Sequence, residues 1–372
     1  MNYNWNDING QSSVKNILEK ILNSLRVPHA FLFHGLNGVG KDFVAVQFAR
    51  ALNEKFLSSE DFSHIGKFIS GFKEPYVKYI FPLPRGKNET DNSGPIEKLN
   101  KDEIQLLHDE LDKKASNPYY KISLPKANFI KISSIREINK FISLNYDDVK
   151  YRVILISDAH RMNEEAQNAL LKNLEEPPEG IIFILTTAYP GLLRETIRSR
   201  CWLLNFQPLF DPELGKVLAK YFKIDLVLAE SVAPFAGGSV SNALKLIEND
   251  FEQLKNKTIF ILRYSFGRKF HSALNEFSGY VSDNNNESIK LLIQMIIIWL
   301  NDLQKFRNNI NRIYFKEHLE TFEKFNKKFP LVELNDIVIK IDRLSSLIQN
   351  NVNLNLIILN IIFELSSLTG KI

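Results

Sequence analysis

The sequence has few cysteines and no long apolar run, which disulfide-bonded, zinc-binding and membrane proteins require. It contains one cysteine among 372 residues, which excludes an intramolecular disulfide and a cysteine-rich zinc site. Its most apolar stretch, residues 291–300, is interrupted by Gln294 and is far shorter than the ~20 residues of a membrane helix. The first residues lack the charged and apolar regions of a signal peptide. We therefore expect a cytoplasmic chain with no membrane segment and no metal site.

An excess of charge of one sign is also missing. The chain has 47 Lys and Arg against 43 Asp and Glu, a formal net charge of +4. So small an excess does not mark a nucleic-acid-binding protein, and any contact with DNA would have to come from a local patch. The apolar content of 44% and the length of 372 residues are sufficient for two or three domains with cores of their own.

Three regions differ in their patterns. Residues 1–207 alternate short apolar runs with helical patterns, which favours an α/β domain with a doubly wound parallel sheet. Residues 208–255 predict a small helical domain, and residues 256–372 predict a longer all-helical one. The wide apolar stripes of this last region fit either the core of a self-contained bundle or a contact with other subunits. The predicted strands are residues 31–34, 77–81, 153–156 and 181–185.

Residues 53–128 are otherwise irregular. We predict an insertion at about 85–125, which contains a charged helical pattern at 101–114.

A glycine-rich loop follows the first predicted strand and precedes a helix. Gly35, Gly38, Gly40 and Lys41 fit the pattern of a phosphate-binding loop, in which backbone N–H groups and the lysine hold a nucleotide's phosphates. The next residue should be a Ser or Thr that binds Mg²⁺, but here it is Asp42. Two like charges ~4 Å apart cost about 4 kcal/mol at an effective dielectric constant of 20, so a carboxylate here opposes triphosphate binding. The alternative is that Asp42 is simply an acid at a helix N-terminus, where carboxylates are favoured.

The strand at 153–156 ends in a second incomplete pattern. Working phosphate-loop ATPases place an Asp, and often a neighbouring Glu, after such a strand. This sequence has Ser157 and Asp158, and no second carboxylate stands beside Asp158.

Several further motifs, in matching order and spacing, resemble the bacterial clamp-loader family of AAA+ proteins. The resemblance implies a RecA-like AAA+ phosphate-loop domain (1–207), a small helical lid (208–255) and an all-α collar (256–372). Subunits of this kind form a ring that places a sliding clamp on primed DNA. The motifs are WNDINGQ at 5–11, PHAFLF at 28–33, ISSIREI at 132–138, AQNALLKNLEEPP at 166–178 and TIRSRC at 196–201.

The departures from the family pattern concern the nucleotide site. Ser157 and Asp158 fall on the family's Asp-Glu pair, and Ser241 stands where active loaders carry an arginine in the second domain. Thr187 takes the place of the family's polar sensor of the γ-phosphate. The family's four-cysteine zinc module is missing from about residues 54–76. Arg200 is retained, and the resemblance implies that it is an arginine finger for the ATP site of a neighbouring subunit.

Together these residues resemble the family's non-hydrolysing member. That resemblance implies no required cofactor, with ATP or ADP binding weak or absent. It implies as partners the gamma/tau and delta subunits of the clamp loader, the sliding clamp and primed DNA, with Lys131, Arg136 and Lys140 as candidate DNA contacts. Two alternatives remain: an active ATPase of the gamma/tau type, in which Asp42 and Asp158 bind Mg²⁺ unusually, and a stand-alone phosphate-loop regulator.

Overall fold

The computed structural model of the chain describes residue 5 and residues 7–24, 26–90, 93–144, 146–282, 286–350 and 352–370. Asn6 of the N-terminal motif and Asn351, before the last helical pattern, lie outside them. The chain forms two compact units, Met1–Ala233 with Gly237–Ser241, and Pro234–Ala236 with Asn242–Ile372. The division into three domains stays a prediction. No helix in the described ranges is long and apolar enough to span a membrane.

The first unit alternates strands and helices along the chain. The elements in order are α1 (Ser12–Ser24), β1 (Ala30–His34), α2 (Lys41–Glu54), α3 (Ser59–Ser70), β2 (Val77–Ile80), α4 (Lys101–Ser116), α5 (Ile132–Ser143), β3 (Arg152–Ile156), α6 (Glu164–Glu175), β4 (Ile181–Thr187), α7 (Glu195–Arg198), β5 (Trp202–Asn205), α8 (Asp211–Phe222) and α9 (Leu226–Val232). α10 (Val240–Glu248) crosses from the first unit into the second.

The strands form one five-stranded sheet in the order β2-β3-β4-β1-β5, and every pairing is parallel. The predicted α/β fold class with a parallel sheet is therefore confirmed. His34 pairs with Thr187 at the ends of β1 and β4, and Ile156 at the end of β3 pairs with Leu185. Since the carboxyl ends of parallel strands share one edge of the sheet, the segments that follow β1, β3 and β4 lie near one another. This edge contains the candidate site.

Helices cover both faces of the sheet. One face packs its apolar side chains against α5 and α6 in a core that includes Ile138, Ile154, Leu170 and Phe183. On the other face, the ring of Phe31 lies edge-on to that of Phe48 from α2, at 5.2 Å between centroids. The three central strands, β1, β3 and β4, are buried on both faces, which explains why they read as apolar runs in the sequence.

Besides the four-residue helix α7, two elements of the first unit were not expected. Residues 59–70, predicted to be irregular, form α3, which begins at the N-cap Ser58 and buries Ile65 and Ile69. Their helical period was obscured by Gly66, a residue that disfavours helices. β5 was missed because it has only four residues at the sheet edge, and its apolar run of three residues, 202–204, is too short to identify a strand.

The predicted insertion contains a well-formed helix. Asn100 caps α4 by accepting from the backbone N–H of Glu103, whose side chain in turn accepts from the backbone of Asn100. This reciprocal pair is a capping box, which satisfies two backbone donors at the helix start. The charged helical pattern at 101–114 is thus confirmed within a segment predicted to be irregular.

The described residues of the second unit form helices joined by loops, with no strand. Trp299 lies at its centre, with ring centroids 5.1 Å from Phe322 and 5.8 Å from Phe266. The buried carboxylate of Asp302 accepts from the backbone N–H groups of Tyr314 and Phe315 and so fixes the loop after its helix. The helices are α11 (Phe251–Phe266), α12 (Phe270–Ser282), α13 (Asn286–Arg307), α14 (Leu319–Lys328), α15 (Leu334–Ser346) and α16 (Leu354–Ser367).

Candidate functional site

The phosphate loop connects β1 to α2 at the carboxyl edge of the sheet. Gly35, Gly38 and Gly40 all have positive φ, which favours glycine. A Cβ at Gly35 would lie 2.4 Å from the carbonyl oxygen of Phe206, so no other residue fits there without a shift of the backbone. At Gly38 a Cβ would lie 2.5 Å from the backbone nitrogen of Ser241. The structure therefore places Ser241 beside the loop. Its short hydroxyl side chain is uncharged, whereas an arginine at this position would bring a positive charge to the loop.

The amine of Lys41 is used by the loop itself. Its Nζ donates to the carbonyl oxygens of Gly35, at 2.8 Å, and Leu36, at 2.6 Å. Burial lowers the pKa of Lys41 to about 8, and the carboxylates of Asp42 and Asp158 offset only part of that effect. In this arrangement the amine of Lys41 binds the backbone at the start of its own loop.

The carboxylate of Asp42 turns inward and is surrounded by hydroxyl donors. Thr186 donates to its Oδ1 at 2.7 Å, while Ser157 and Tyr79 donate to its Oδ2 at 2.8 and 3.3 Å. The ammonium of Lys114, from α4, lies 3.5 Å from Oδ2. Burial by itself raises the pKa of this carboxyl, but Lys114 and the hydroxyl donors outweigh that effect, and the pKa is lowered from its usual value. Asp42 is therefore an ionised, partnered group and more than an acid at a helix N-terminus.

Ser157 and Asp158 face different partners. Ser157 belongs to the group of donors around Asp42, whereas Asp158 has a left-handed backbone (φ 51°) and pairs with Lys121 at 3.0 Å. The guanidinium of Arg161 is 4.0 Å from the same carboxylate oxygen. Ser157 and Asp158, which fall on the family's acidic pair, thus both have polar partners within this chain.

Thr187 does not contact Asp42. Its hydroxyl lies 3.0 Å from Nδ1 of His160 and accepts from the backbone N–H of Tyr189. The neighbouring Thr186 makes the contact with Asp42, because successive side chains of a strand point to opposite faces.

Arg200 lies apart from the phosphate loop, after the short helix α7. Its guanidinium donates to the carbonyl oxygen of Thr196 at 2.9 Å and pairs with Glu175 at 2.8 Å. The side chain is 35% exposed and that of Glu175 is 49% exposed. The ion pair with Glu175 is partly exposed, and such surface ion pairs are weak, so little free energy opposes its exchange for another acceptor.

The three candidate DNA contacts differ in accessibility. The ammonium of Lys131 is mostly buried, pairs with Glu89 at 2.7 Å and donates to the carbonyl of Pro95. Lys131 is thus engaged with the insertion, whereas Arg136 and Lys140 are exposed.

The residues present do not fit a magnesium-bound triphosphate. The lysine amine is bonded to the loop carbonyls, and a carboxylate with its own hydroxyl and ammonium partners stands where the metal-binding hydroxyl belongs. Among the described residues, no group of three or more His, Cys, Asp or Glu side chains is arranged to hold a metal ion. No motif in the sequence marked three of the side chains that complete this site: Tyr79, Lys114 and Lys121.

Two sequence-family models match the chain. The family described as "DNA polymerase III, delta subunit" matches residues 10–210, and that described as "DNA polymerase III, delta subunit, C terminal" matches residues 262–367. The tau/gamma subunit of DNA polymerase III from Haemophilus influenzae is 28% identical over 247 residues, which cover 65% of this chain and 30% of the relative. The delta' subunit from Bacillus subtilis is 26% identical over 281 residues, which cover 73% of this chain and 70% of the relative.

The relatives differ in length from this chain. It spans 30% of the Haemophilus influenzae subunit and 37% of the tau subunit from Bacillus subtilis, to which it is 26% identical over 66% of its own length. Among solved structures, a DNA polymerase III gamma subunit-related protein from Thermotoga maritima has a TM-score of 0.39 and 16% identity, over 95% of this chain and 99% of that one.

Proposed function

The chain belongs to the DNA polymerase III delta-subunit family, and from this membership we propose that it is a clamp-loader subunit of the delta prime type. In this proposal it is a cytoplasmic, non-hydrolysing component that helps to place a sliding clamp on primed DNA. Its partners are the gamma/tau and delta subunits of the loader. It requires no cofactor, and it binds ATP or ADP weakly or not at all.

The observation that carries the proposal is the environment of Asp42. Magnesium-dependent phosphoryl transfer needs a hydroxyl ligand, an acidic strand end and a free lysine amine. Here Asp42 holds Ser157 and Thr186 through hydrogen bonds, and Lys41 is bonded to its own loop. A loop that keeps its shape while its ligand groups are engaged elsewhere supports a structural role.

In this proposal, Arg200 is the residue by which a non-hydrolysing subunit contributes to ATP hydrolysis. A guanidinium presents bidentate donors to γ-phosphate oxygens and neutralises charge that develops in the transition state. Because Arg200 contacts Thr196 and Glu175 rather than the phosphate loop, the proposal assigns its action to the ATP site of an adjacent subunit.

An active ATPase of the gamma/tau type is the competing function. The similarity to tau and gamma subunits, and the retention of Lys41, favour it. The environment of Asp42 argues against it, because hydrolysis would require Lys41, Asp42 and Ser157 to give up their present partners.

The test is steady-state ATP hydrolysis by the purified chain, followed by assembly with the other subunits from the same source. We expect no turnover above background from the chain alone, and its incorporation into a complex with the gamma/tau and delta subunits. Turnover that is abolished by Lys41→Ala would contradict the non-hydrolysing role and favour the gamma/tau alternative. Failure to enter the complex would contradict the assignment to the loader.

A further inference from the structure

The segment from Lys114 to Lys121, here called the covering segment, connects the end of α4 to the degenerate nucleotide site. The ammonium of Lys114 donates to the carbonyl oxygens of Pro118, at 3.0 Å, and Tyr120, at 2.7 Å, and so folds the chain back after the helix. The side-chain amide of Asn117 donates to the carbonyl oxygen of Tyr221 at 2.8 Å. Hydrogen bonds from Lys114 and Asn117 therefore fix the chain where it leaves α4.

Tyr119 covers the phosphate loop. A Cβ added at Gly40 would meet its ring at 3.1 Å, so the ring lies directly against the loop's last glycine. The same ring packs edge-on against Phe43 of α2, at 5.5 Å between centroids, and lies 5.2 Å from Tyr221. An aromatic group thus lies against the start of α2, the part of a phosphate loop at which nucleotide-binding proteins hold a phosphate.

The covering segment also brings two positive charges to the two carboxylates of the site. Lys114 pairs with Asp42 at 3.5 Å, and Lys121 pairs with Asp158 at 3.0 Å. The side chain of Lys114 is 5% exposed, which makes its charge costly to bury without a partner. Two ammonium groups carry the same total charge as one divalent cation.

Glu110 holds the covering segment in place from within α4. Its buried carboxylate accepts from the hydroxyl of Tyr120 at 2.8 and 2.9 Å and from the backbone N–H of Ser123 at 2.9 Å. The covering segment is thus a built feature of the fold, with its own supporting contacts.

We propose that the covering segment is an intramolecular ligand of the degenerate nucleotide site, in which Lys114 and Lys121 replace the charge of a divalent cation and Tyr119 covers the phosphate loop. This inference does not depend on the role in clamp loading. It implies that removal of the Lys114 ammonium leaves an anionic carboxylate with the hydroxyls of Tyr79, Ser157 and Thr186. Oxygen ligands of this kind suit hard divalent cations such as Mg²⁺.

The experiment compares the full-length chain with its Lys114→Met variant in thermal unfolding, with and without millimolar MgCl₂. We expect the melting temperature of the wild type not to respond to Mg²⁺. We expect Lys114→Met to melt lower, because the charge of Asp42 is left unpaired, and to regain part of the loss in Mg²⁺, since a ligand of the folded state stabilises it. Binding of Mn²⁺, followed by electron paramagnetic resonance, should rise at least tenfold in the variant.

Two control variants test whether the effects come from the ion pair between Asp42 and Lys114. Lys101→Met removes an exposed lysine from the first turn of the same helix and should change neither the melting temperature nor Mn²⁺ binding. The double variant Asp42→Asn with Lys114→Met should lose less stability than the two single losses add up to, and should not respond to Mg²⁺.

Two results would overturn the proposal: a Lys114→Met variant that folds but gains no response to Mg²⁺ or Mn²⁺, or a wild type that binds Mn²⁺ as tightly as the variant. If Lys114→Met fails to fold, Lys121→Met serves instead, because that side chain is 46% exposed. It should then show a cation response at Asp158 that the wild type lacks, and the absence of that response would equally overturn the proposal.

Discussion

At the scale of single residues, burial decides what a side chain can do. Asp42 stays ionised although it is largely enclosed, because an ammonium and three hydroxyls face its carboxylate. Cys201 is buried as well, in the apolar core beside the sheet, and burial raises the pKa of its thiol to about 12. The same physical factor thus gives a partnered anion in one place and an inert thiol in the other.

The single cysteine offers a prediction about pH. A buried thiol with a raised pKa contributes stability that is fully present below its usual pKa of 9.0 and is lost as the pH rises through about 12. We therefore expect the wild type to lose stability relative to Cys201→Ala as the pH increases from 8.5 to ~10.5. Urea unfolding at several pH values measures this difference, and the thiol of the native chain should resist alkylation at pH 8. A difference that does not change with pH, together with rapid alkylation, would refute the prediction.

At the scale of elements, single side chains tie helices to strands. Asn53, in the last turn of α2, is 1% exposed and bonds both backbone groups of Tyr151, next to β3. Its Nδ2 donates to the carbonyl oxygen of Tyr151 at 2.9 Å, and its Oδ1 accepts from the backbone N–H at 2.9 Å. The amide of Asn53 provides one donor and one acceptor, as the backbone of a neighbouring strand would. These two bonds fix the end of α2 against the residue that precedes β3.

Asn53→Ala should destabilise the chain by ~1–3 kcal/mol, because it removes the hydrogen-bond partner that Asn53 provides to the partly buried N–H and C=O of Tyr151. Asn23→Ala is the matched control, since Asn23 is an exposed asparagine near the end of α1. Its effect should stay within ~0.5 kcal/mol. Chemical denaturation of both variants measures the free energy of unfolding. Equal losses in the two variants would show that the bonds to Tyr151 contribute nothing.

At the scale of the whole molecule, side-chain packing orders a segment of the first unit for which no metal site is expected. Residues 59–70, within the region where the family carries its zinc module, form α3, which buries Ile65 and Ile69. The guanidinium of Arg50 from α2 lies 5.7 Å from the ring centre of Phe62. These contacts hold the segment with ordinary side chains, and the absence of zinc from the protein stays a prediction.

The proposed role of Arg200 as an arginine finger can be tested only in an assembly. Arg200→Ala should leave folding and incorporation into the loader unchanged but lower DNA-stimulated ATP hydrolysis and clamp loading by the complex. The loss should be smaller than the ~10³–10⁵ of GTPase fingers, because the other ATP sites of a ring keep their own arginines. Arg200→Lys should restore little activity, since an ammonium lacks the planar fork of a guanidinium.

The control for this variant lies in the same connection. Arg194 is exposed at the start of α7, and Arg194→Ala should leave the rates of the complex near those of the wild type. A complex with Arg200→Ala that hydrolyses ATP and loads clamps at the wild-type rate would return Arg200 to the role of a surface ion-pair residue.

The sequence by itself determined the features that rest on local pattern. The buried strands β1, β3 and β4 are continuous apolar runs, and the glycines of the phosphate loop are set by the backbone that they must adopt. The replacement of a hydroxyl by Asp42 could be read directly, because its position in the loop is fixed by the neighbouring lysine.

Only the tertiary structure decided what the carboxylate of Asp42 contacts. Its partners Tyr79, Lys114, Ser157 and Thr186 come from four separate segments, which the parallel sheet and α4 bring to one point. Which of two adjacent threonines faces the site depends on the pleat of β4, and the position of Tyr119 over Gly40 depends on the turn after α4. Contacts between segments far apart in the chain leave no periodic trace in the sequence, because they depend on how completed elements pack.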